Sequence, residues 1–510
     1  MTRPKLIQAL IGGGLIFLLG ISLADNFAEP DFFSFINFGR QFWMEGGLPR
    51  HDIFSYLPTI QPLVLQEWLT WVLFYPVYIT WGAAPLQMLK FACGLLTAWL
   101  VYRAARQRGA SRAGAATGLL LVSYIWGYAF PAVLARNFSY LFFAATIALI
   151  EAHRNNQKNR LARWGPIPLF MLWANLHGGF PTGLAVLLFY ILGQAITGRS
   201  ERRFWALTAA CCAATLVTPY GWRLWPTVLG HGLGPDPEGL EWMALPQAVE
   251  FLGWEPHLAL FVMLAAATVP LLLFYGKKNP VMWMMMGFFG GLALRSQRHI
   301  PFFILSFAVY APAALTAWLT HARHRPPAFS ARAAVIITVV FCLPPLLYNA
   351  VWFPRKIRAV QKMGSALALK IPEGTESVSY RYPYPVGAVN FIREKDLRGK
   401  ILADLIWGGY LAWELFPESK VAFDTRTETT FPPLVRRRYY DYFLGRPNWE
   451  EMLRYYPPDM IITSAPGKLR QMLAVHPGWR EIYADPVCAL LIRRQGAGAF
   501  AEPNPIPPPR

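Results

Sequence analysis

Four apolar runs, at residues 6–23, 84–100, 258–274 and 333–351, each approach the roughly 20 residues that an α-helix needs to cross a bilayer. Within hydrocarbon every backbone N–H and C=O must be satisfied inside the segment, which restricts such runs to helices. Only 15% of the chain is charged, against about 25% in soluble proteins, so the runs are not buried cores of ordinary globular domains. The fold class that follows is an α-helical polytopic membrane protein. A disulfide scaffold is excluded, because four of the five cysteines (Cys93, Cys211, Cys212 and Cys342) lie in or beside apolar runs and read as packing residues.

Charge placement orients the helices. Arg3 and Lys5 precede the first run, which lacks a convincing cleavage site and reads as a retained signal anchor. Taking 67–82 as a full span would put Arg103, Arg106, Arg108 and Arg112 opposite the N-terminus, against the positive-inside rule, so that segment reads as a helix lying along the outer interface. The expected spans are then 6–24, 84–104, 115–131, 137–152, 165–178, 182–198, 204–219, 257–275, 280–295, 300–319 and 332–351, about 11 in all, with the N-terminus cytoplasmic and the C-terminus outside. On this layout the cytoplasmic segments before residue 352, with the span ends that border them (Arg103, Glu151 and Arg332), hold 18 Lys and Arg against 2 acids, while the rest of the spans and the outer segments hold 7 against 11. Most of the net charge of +19 is therefore a topology signal, and no basic stripe interleaved with aromatics marks a nucleic-acid partner.

The domains read as a transmembrane domain at 1–351, with a long first outer loop at 25–83, an extracytoplasmic α/β domain at 352–495 and a disordered tail at 496–510. In the α/β domain, strand-sized apolar runs at 400–403, 420–423, 460–463 and 488–492 alternate with amphipathic stretches at 386–395 and 449–456.

Polar side chains at membrane depth or at the outer surface are the functional candidates. Asp31, in Glu29-Pro30-Asp31 of the first outer loop, sits beside aromatics that can desolvate it enough to act as a base; a helix N-cap is the alternative role. Glu29 with Asp31 can share a divalent cation. Asn175 and His177, in Trp173-Ala174-Asn175-Leu176-His177-Gly178-Gly179, read equally as substrate-binding groups or as an interhelical hydrogen-bond clamp. Arg295, Arg298 and His299 lie on the side disfavoured for positive charge and suit capture of a phosphate, with Arg136 on the same face; snorkelling to head groups is the alternative. No phosphate-binding glycine loop, dinucleotide fingerprint or metalloprotease helix is present, which disfavours nucleotide hydrolysis and redox chemistry. The Asp424-Thr425-Arg426 turn reads as structural.

In these residues the chain resembles the GT-C superfamily of polytopic glycosyltransferases, which includes protein O-mannosyltransferases and aminoarabinose transferases. The resemblance rests on one span followed by a long outer loop with Pro30-Asp31 near its start. Asp52-Ile53-Phe54-Ser55-Tyr56, Glu67-Trp68-Leu69, the Asn175–His177 motif, Pro219-Tyr220-Gly221 and Arg298-His299-Ile300-Pro301 resemble, more narrowly, a bacterial branch, as do Gly408-Gly409-Tyr410 and Asp424-Thr425-Arg426. Glu29 replaces the Asp often found there, and Phe33-Ser34-Phe35 replaces an aromatic-His pattern. The resemblance implies a sugar transferase at the outer face of the bacterial cytoplasmic membrane, using a polyprenyl-phosphate-linked donor and a lipid, glycan or protein acceptor. It implies Asp31 as base or metal ligand; from their own chemistry, Arg295, Arg298, His299 and Arg136 are the candidates for the donor phosphate, and Asn175, His177 and Glu67 those for substrate. A non-catalytic transporter, or a lipid- or glycan-binding scaffold, is the alternative, although nearly uncharged spans weigh against transport.

Overall fold

The computed structural model describes residues 3–198, 202–233, 240–275, 279–324, 329–362, 364–372 and 383–494. The expected disordered tail lies outside them. Two compact units divide the chain: Met1–Asn26 with Ala84–Ala368, and Phe27–Ala83 with Leu369–Arg510. The sequence reading attached the loop at 25–83 to the membrane domain, whereas that segment forms one compact unit with the C-terminal residues.

The first unit is helical. A helix occupies each expected span, but only four segments among the described residues, Ala84–Gln107, Pro256–Leu273, Gln297–Trp318 and Ile336–Gln361, combine the length and apolarity of a crossing. Others are short: Pro166–Leu176 has 11 residues and Arg202–Ala214 has 13, fewer than the roughly 20 of a straight crossing. At one end of the bundle Arg108 meets the buried Glu151, which also takes Arg154 at 3.1 Å and the Tyr190 hydroxyl. Tyr190 in turn lies 2.9 Å from the Tyr310 hydroxyl, so one network ties three helices to the residue that follows a fourth. A buried charge persists only when paired and hydrogen-bonded, and Glu151 is an acid in a segment otherwise rich in Lys and Arg because Arg108 needs it.

The second unit is built on a sheet of order β2-β1-β3-β5-β4, with β1 (Gly399–Ala403), β2 (Ser419–Val421), β3 (Met460–Ser464), β4 (Trp479–Ala484) and β5 (Cys488–Arg493). β1 runs parallel to β2 and β3, with Ile401 opposite Val421 and Leu402 opposite Ile461, and β5 runs antiparallel to β3 and β4. Helices Leu405–Leu415 and Pro433–Phe443 lie in the crossovers that parallel neighbours require. Four strands coincide with the apolar runs seen in sequence; β4, reading Trp-Arg-Glu-Ile-Tyr-Ala with exposed Arg480 and Glu481, was missed because it is a polar edge.

The first loop covers the opposite edge. Val421 N–H donates to Phe54 O and Tyr56 N–H to Val421 O, each at 3.0 Å, so residues 54–56 satisfy an edge that would otherwise be open to pairing. Beneath this seam Asp52 meets Arg426 at 2.6 Å, and Arg426 meets Asp424 at 2.5 Å, all three side chains at most 1% exposed. Two motifs far apart in sequence are thus one buried acid–base–acid triad.

Asp404 ends β1 and caps the helix that follows, accepting the Ile406 N–H at 3.2 Å. Burial raises its carboxyl from 3.8 to about 7, against the lowering effect of the Ile406 and Leu405 N–H groups. The folded unit therefore keeps a proton that the unfolded chain releases near pH 4, so stability is full below that pH and falls as pH rises to about 7. Asp404→Asn keeps the cap acceptor and removes the titration. Thermal melts should match the parent at pH 4 and show stabilisation on the order of 2–4 kcal/mol at pH 8; equal differences at both pH values would contradict the linkage.

Candidate functional site

In the second unit Asp31 occupies the first turn of helix Pro30–Glu45, after Pro30, whose fixed φ suits a helix start. The N-cap is Glu29, in extended backbone, with Oε2 accepting the Asp31 N–H at 3.1 Å. The capping role that the sequence left open for Asp31 thus falls to its neighbour. The Asp31 carboxylate sits where the helix dipole and first-turn N–H groups favour negative charge.

This helix is seated by small residues. Asn37 Nδ2 donates to Gly409 O at 3.0 Å, and Arg40 donates to Trp413 O and Phe416 O at 3.1 and 3.2 Å, satisfying carbonyls at the end of helix Leu405–Leu415. A Cβ on Gly409 would stand 2.4 Å from Ser34 N, and one on Gly408 1.9 Å from Phe423 O, so any larger residue would push the 405–415 helix off the Asp31 helix or off the sheet. Phe33 packs edge-on to Tyr384 and Tyr410. Tyr384, which sequence reasoning missed, is held well above its ordinary pKa by burial and then by Glu29 and Asp31, so it stays protonated and donates to Ala28 O at 3.4 Å. Glu67, expected to bind substrate, is buried and accepts the Trp71 indole N–H at 2.9 Å.

In the first unit His177 ends helix Pro166–Leu176 in extended backbone. Its Nδ1 accepts the Gly179 N–H at 3.0 Å and lies 2.7 Å from Ser139 Oγ, which accepts the Trp173 indole N–H at 2.7 Å. With the Trp173 proton pointing at Ser139 and the Gly179 proton at Nδ1, the Ser139 hydroxyl donates to His177, which places the imidazole proton on Nε2. Gly179 permits this approach, since a Cβ there would stand 2.2 Å from Ser139 Oγ. Asn175 donates to Met171 O at 2.8 Å and to Val217 O at 2.9 Å, the second bond bridging to the chain beyond helix Arg202–Ala214, which is the clamp geometry.

Arg136 and Arg298 are brought together as the sequence suggested, on a partner it did not supply. The Glu241 carboxylate takes Arg136 at 3.2 Å and Arg298 at 2.5 Å, leaving a cluster of net charge +1. Ser296 Oγ donates to Glu241 O at 3.1 Å, Gln297 N–H to Met243 O at 3.2 Å, and the Arg298 guanidinium lies 4.6 Å from the Trp242 ring centre, fastening 241–243 to the 296–299 turn. Arg295 is exposed at the end of its helix, and the His299 ring lies near Trp242 and Phe302. The only sequence signal for Glu241 was its position among the acids of the outer segments.

Among the described residues no group of three or more His, Cys, Asp and Glu side chains is placed to hold a metal ion. Glu29 and Asp31 offer two carboxylates, one engaged in the cap, which falls short of the oxygen set a divalent cation takes.

No family model matches the chain, and no curated protein matches it. Its likenesses are among solved structures. Archaeal oligosaccharyltransferase AglB from Archaeoglobus fulgidus, in complex with an inhibitory peptide and a dolichol-phosphate, matches 98% of this chain and 76% of its own at 10% identity, with a TM-score of 0.54. ArnT from Cupriavidus metallidurans bound to undecaprenyl phosphate matches 99% and 100% at 16% identity and 0.53, and ArnT in the apo state 96% and 98% at 13% and 0.52. At such identities the likeness is one of fold.

Proposed function

From the GT-C fold that this chain shares with AglB and ArnT, we propose that it is an integral membrane glycosyltransferase, moving a sugar from a polyprenyl-phosphate-linked donor to a lipid, glycan or protein acceptor at the outer face of the cytoplasmic membrane. The observation that carries this reading is that both folds were solved with a polyprenyl-type phosphate, dolichol-phosphate in one and undecaprenyl phosphate in the other. About 11 crossings with a cytoplasmic N-terminus complete the proposed topology.

The chemistry is an inverting displacement. An acceptor hydroxyl oxygen bonds to the anomeric carbon while the bond from that carbon to the phosphate oxygen breaks, and the electron pair leaves with the polyprenyl phosphate. Asp31 takes the hydroxyl proton. Arg136 and Arg298, with Arg295 beside them, offset the charge gathering on the leaving phosphate, and the His299 ring lies next to them. Asn175 and His177 act by fixing the end of their own helix, through the Val217 carbonyl and Ser139, and Glu67 acts by holding Trp71. No step is routed through a metal.

Purified protein in liposomes with a polyprenyl phosphate bearing radiolabelled sugar should move label out of the donor lipid when acceptor-containing envelope extract is added. Label that stays in the donor lipid with every extract fraction would overturn the reading. Glu241 adds a quantitative expectation. Glu241→Gln raises the arginine cluster from +1 to +2, so undecaprenyl phosphate should bind about fivefold to tenfold more tightly in a displacement assay, roughly 1 kcal/mol, and Arg298→Gln should weaken it. Unchanged affinity in both variants would place the phosphate elsewhere.

A further inference from the structure

A cavity of about 160 Å³ lies in the first unit between helices Arg136–Asn155, Arg160–Trp164, Pro166–Leu176 and Arg202–Ala214. It is remote from the Glu241 cluster. Arg136 begins a 20-residue helix and His153, on the cavity wall, lies near its far end, which at 1.5 Å per residue separates the two by about 25 Å.

Polarity falls in one direction along the walls. From the turn that follows one helix the lining goes from Gln157 to His153 and Ile150 on the helix itself, and on another helix from Arg203 through Phe204 and Leu207 to Ala210. Arg163 completes the polar end, its guanidinium 4.8 Å from the Trp164 ring centre, and Ile167 joins the apolar end. Arg203 to Ala210 covers seven residues, about 10 Å of depth. Among the described lining residues there is no carboxylate. Flanking the cavity, Leu161, Trp164 and Trp205 are each at least half exposed, the pattern of an aromatic belt at a membrane surface.

We propose that this cavity seats the head group of an anionic phospholipid, in the leaflet at the end of the bundle opposite Arg298. Two arginines at the rim match a phosphodiester. The apolar floor and exposed apolar flank match the start of acyl chains. A free anion would find half of this lining apolar, and at 160 Å³ the cavity is smaller than the roughly 300–1,000 Å³ that encloses a whole small ligand, so it holds a head group whose chains lie outside.

The full-length protein, reconstituted with equal dioleoyl-phosphatidylglycerol and dioleoyl-phosphatidylcholine and released for native mass spectrometry, tests this. The parent should retain the anionic lipid about tenfold over the zwitterionic one, the Arg163→Ala, Arg203→Ala double variant should approach parity, and the Lys, Lys double variant should keep the preference. Equal retention by the parent, or an undiminished preference in the alanine variant, would overturn the proposal, and so would displacement of the anionic lipid by millimolar inorganic phosphate. Should the alanine variant misfold, a photoactivatable phosphatidylglycerol on the parent decides: cross-links within 150–167 and 203–210 support the seat, and cross-links confined elsewhere exclude it.

Discussion

Asp31→Asn is expected to lower sugar transfer by roughly 10²- to 10⁴-fold, the usual contribution of a positioned acid or base, while leaving the protein folded. The substitution isolates chemistry from structure because of how the helix starts. The cap bond runs from the Asp31 backbone N–H to the Glu29 carboxylate, so it survives any change of the residue 31 side chain. What stability is lost comes from removing a first-turn negative charge, about 0.3–1 kcal/mol. Initial rates with the radiolabelled donor should therefore collapse, with a near-parental melting temperature and unchanged undecaprenyl phosphate binding. Full transfer by a folded Asp31→Asn protein would remove Asp31 from the mechanism. Glu29→Gln keeps a cap acceptor and should be far milder.

Arg426→Ala should be the most damaging single change to stability. It deletes the cation between Asp52 and Asp424, whose side chains are at most 1% exposed, and leaves two like charges buried together. Breaking a buried ion pair by removing one partner costs about 3–5 kcal/mol, here with the Asp52 contact to the Ser55 and Phe54 N–H groups also put at risk. Limited proteolysis should cut the 27–83 segment in the variant under conditions that spare the parent. Adding Asp52→Asn and Asp424→Asn to Arg426→Ala removes the repulsion between the two buried carboxylates and should recover part of the lost stability. Parental protease resistance in Arg426→Ala would mean that the triad contributes little.

What could be read from residues in order was what depends on neighbours in order. Hydropathy over a window of about 20 residues locates helices, because a lipid-embedded backbone has no other way to satisfy itself, and short apolar runs located β1, β2, β3 and β5. Glu29-Pro30-Asp31 announced a helix start for the same reason, since a cap is decided within one turn. β4 escaped because an edge strand with exposed Arg480 and Glu481 lacks the apolar signal. The family resemblance anticipated the fold, and of the Asp424-Thr425-Arg426 turn, read as structural, Asp424 and Arg426 are buried in the triad with Asp52.

The tertiary structure alone decided the pairings. Phe27–Ala83 joins Leu369–Arg510 because residues 54–56 complete the edge of β2 and Asp52 neutralises Arg426, contacts between segments more than 300 residues apart that no local period encodes. Arg136 and Arg298 converge on Glu241 for a similar reason: two cations drawn together at a membrane protein's surface need a carboxylate between them, and which acid supplies it depends on where a distant loop returns. The sequence determined which segments are helices, which are strands and which side chains are chemically able to act. Packing assigned each of those side chains its partner, because the cost of burying a charge is settled by what lies within about 3 Å of it in space, not by its neighbours along the chain.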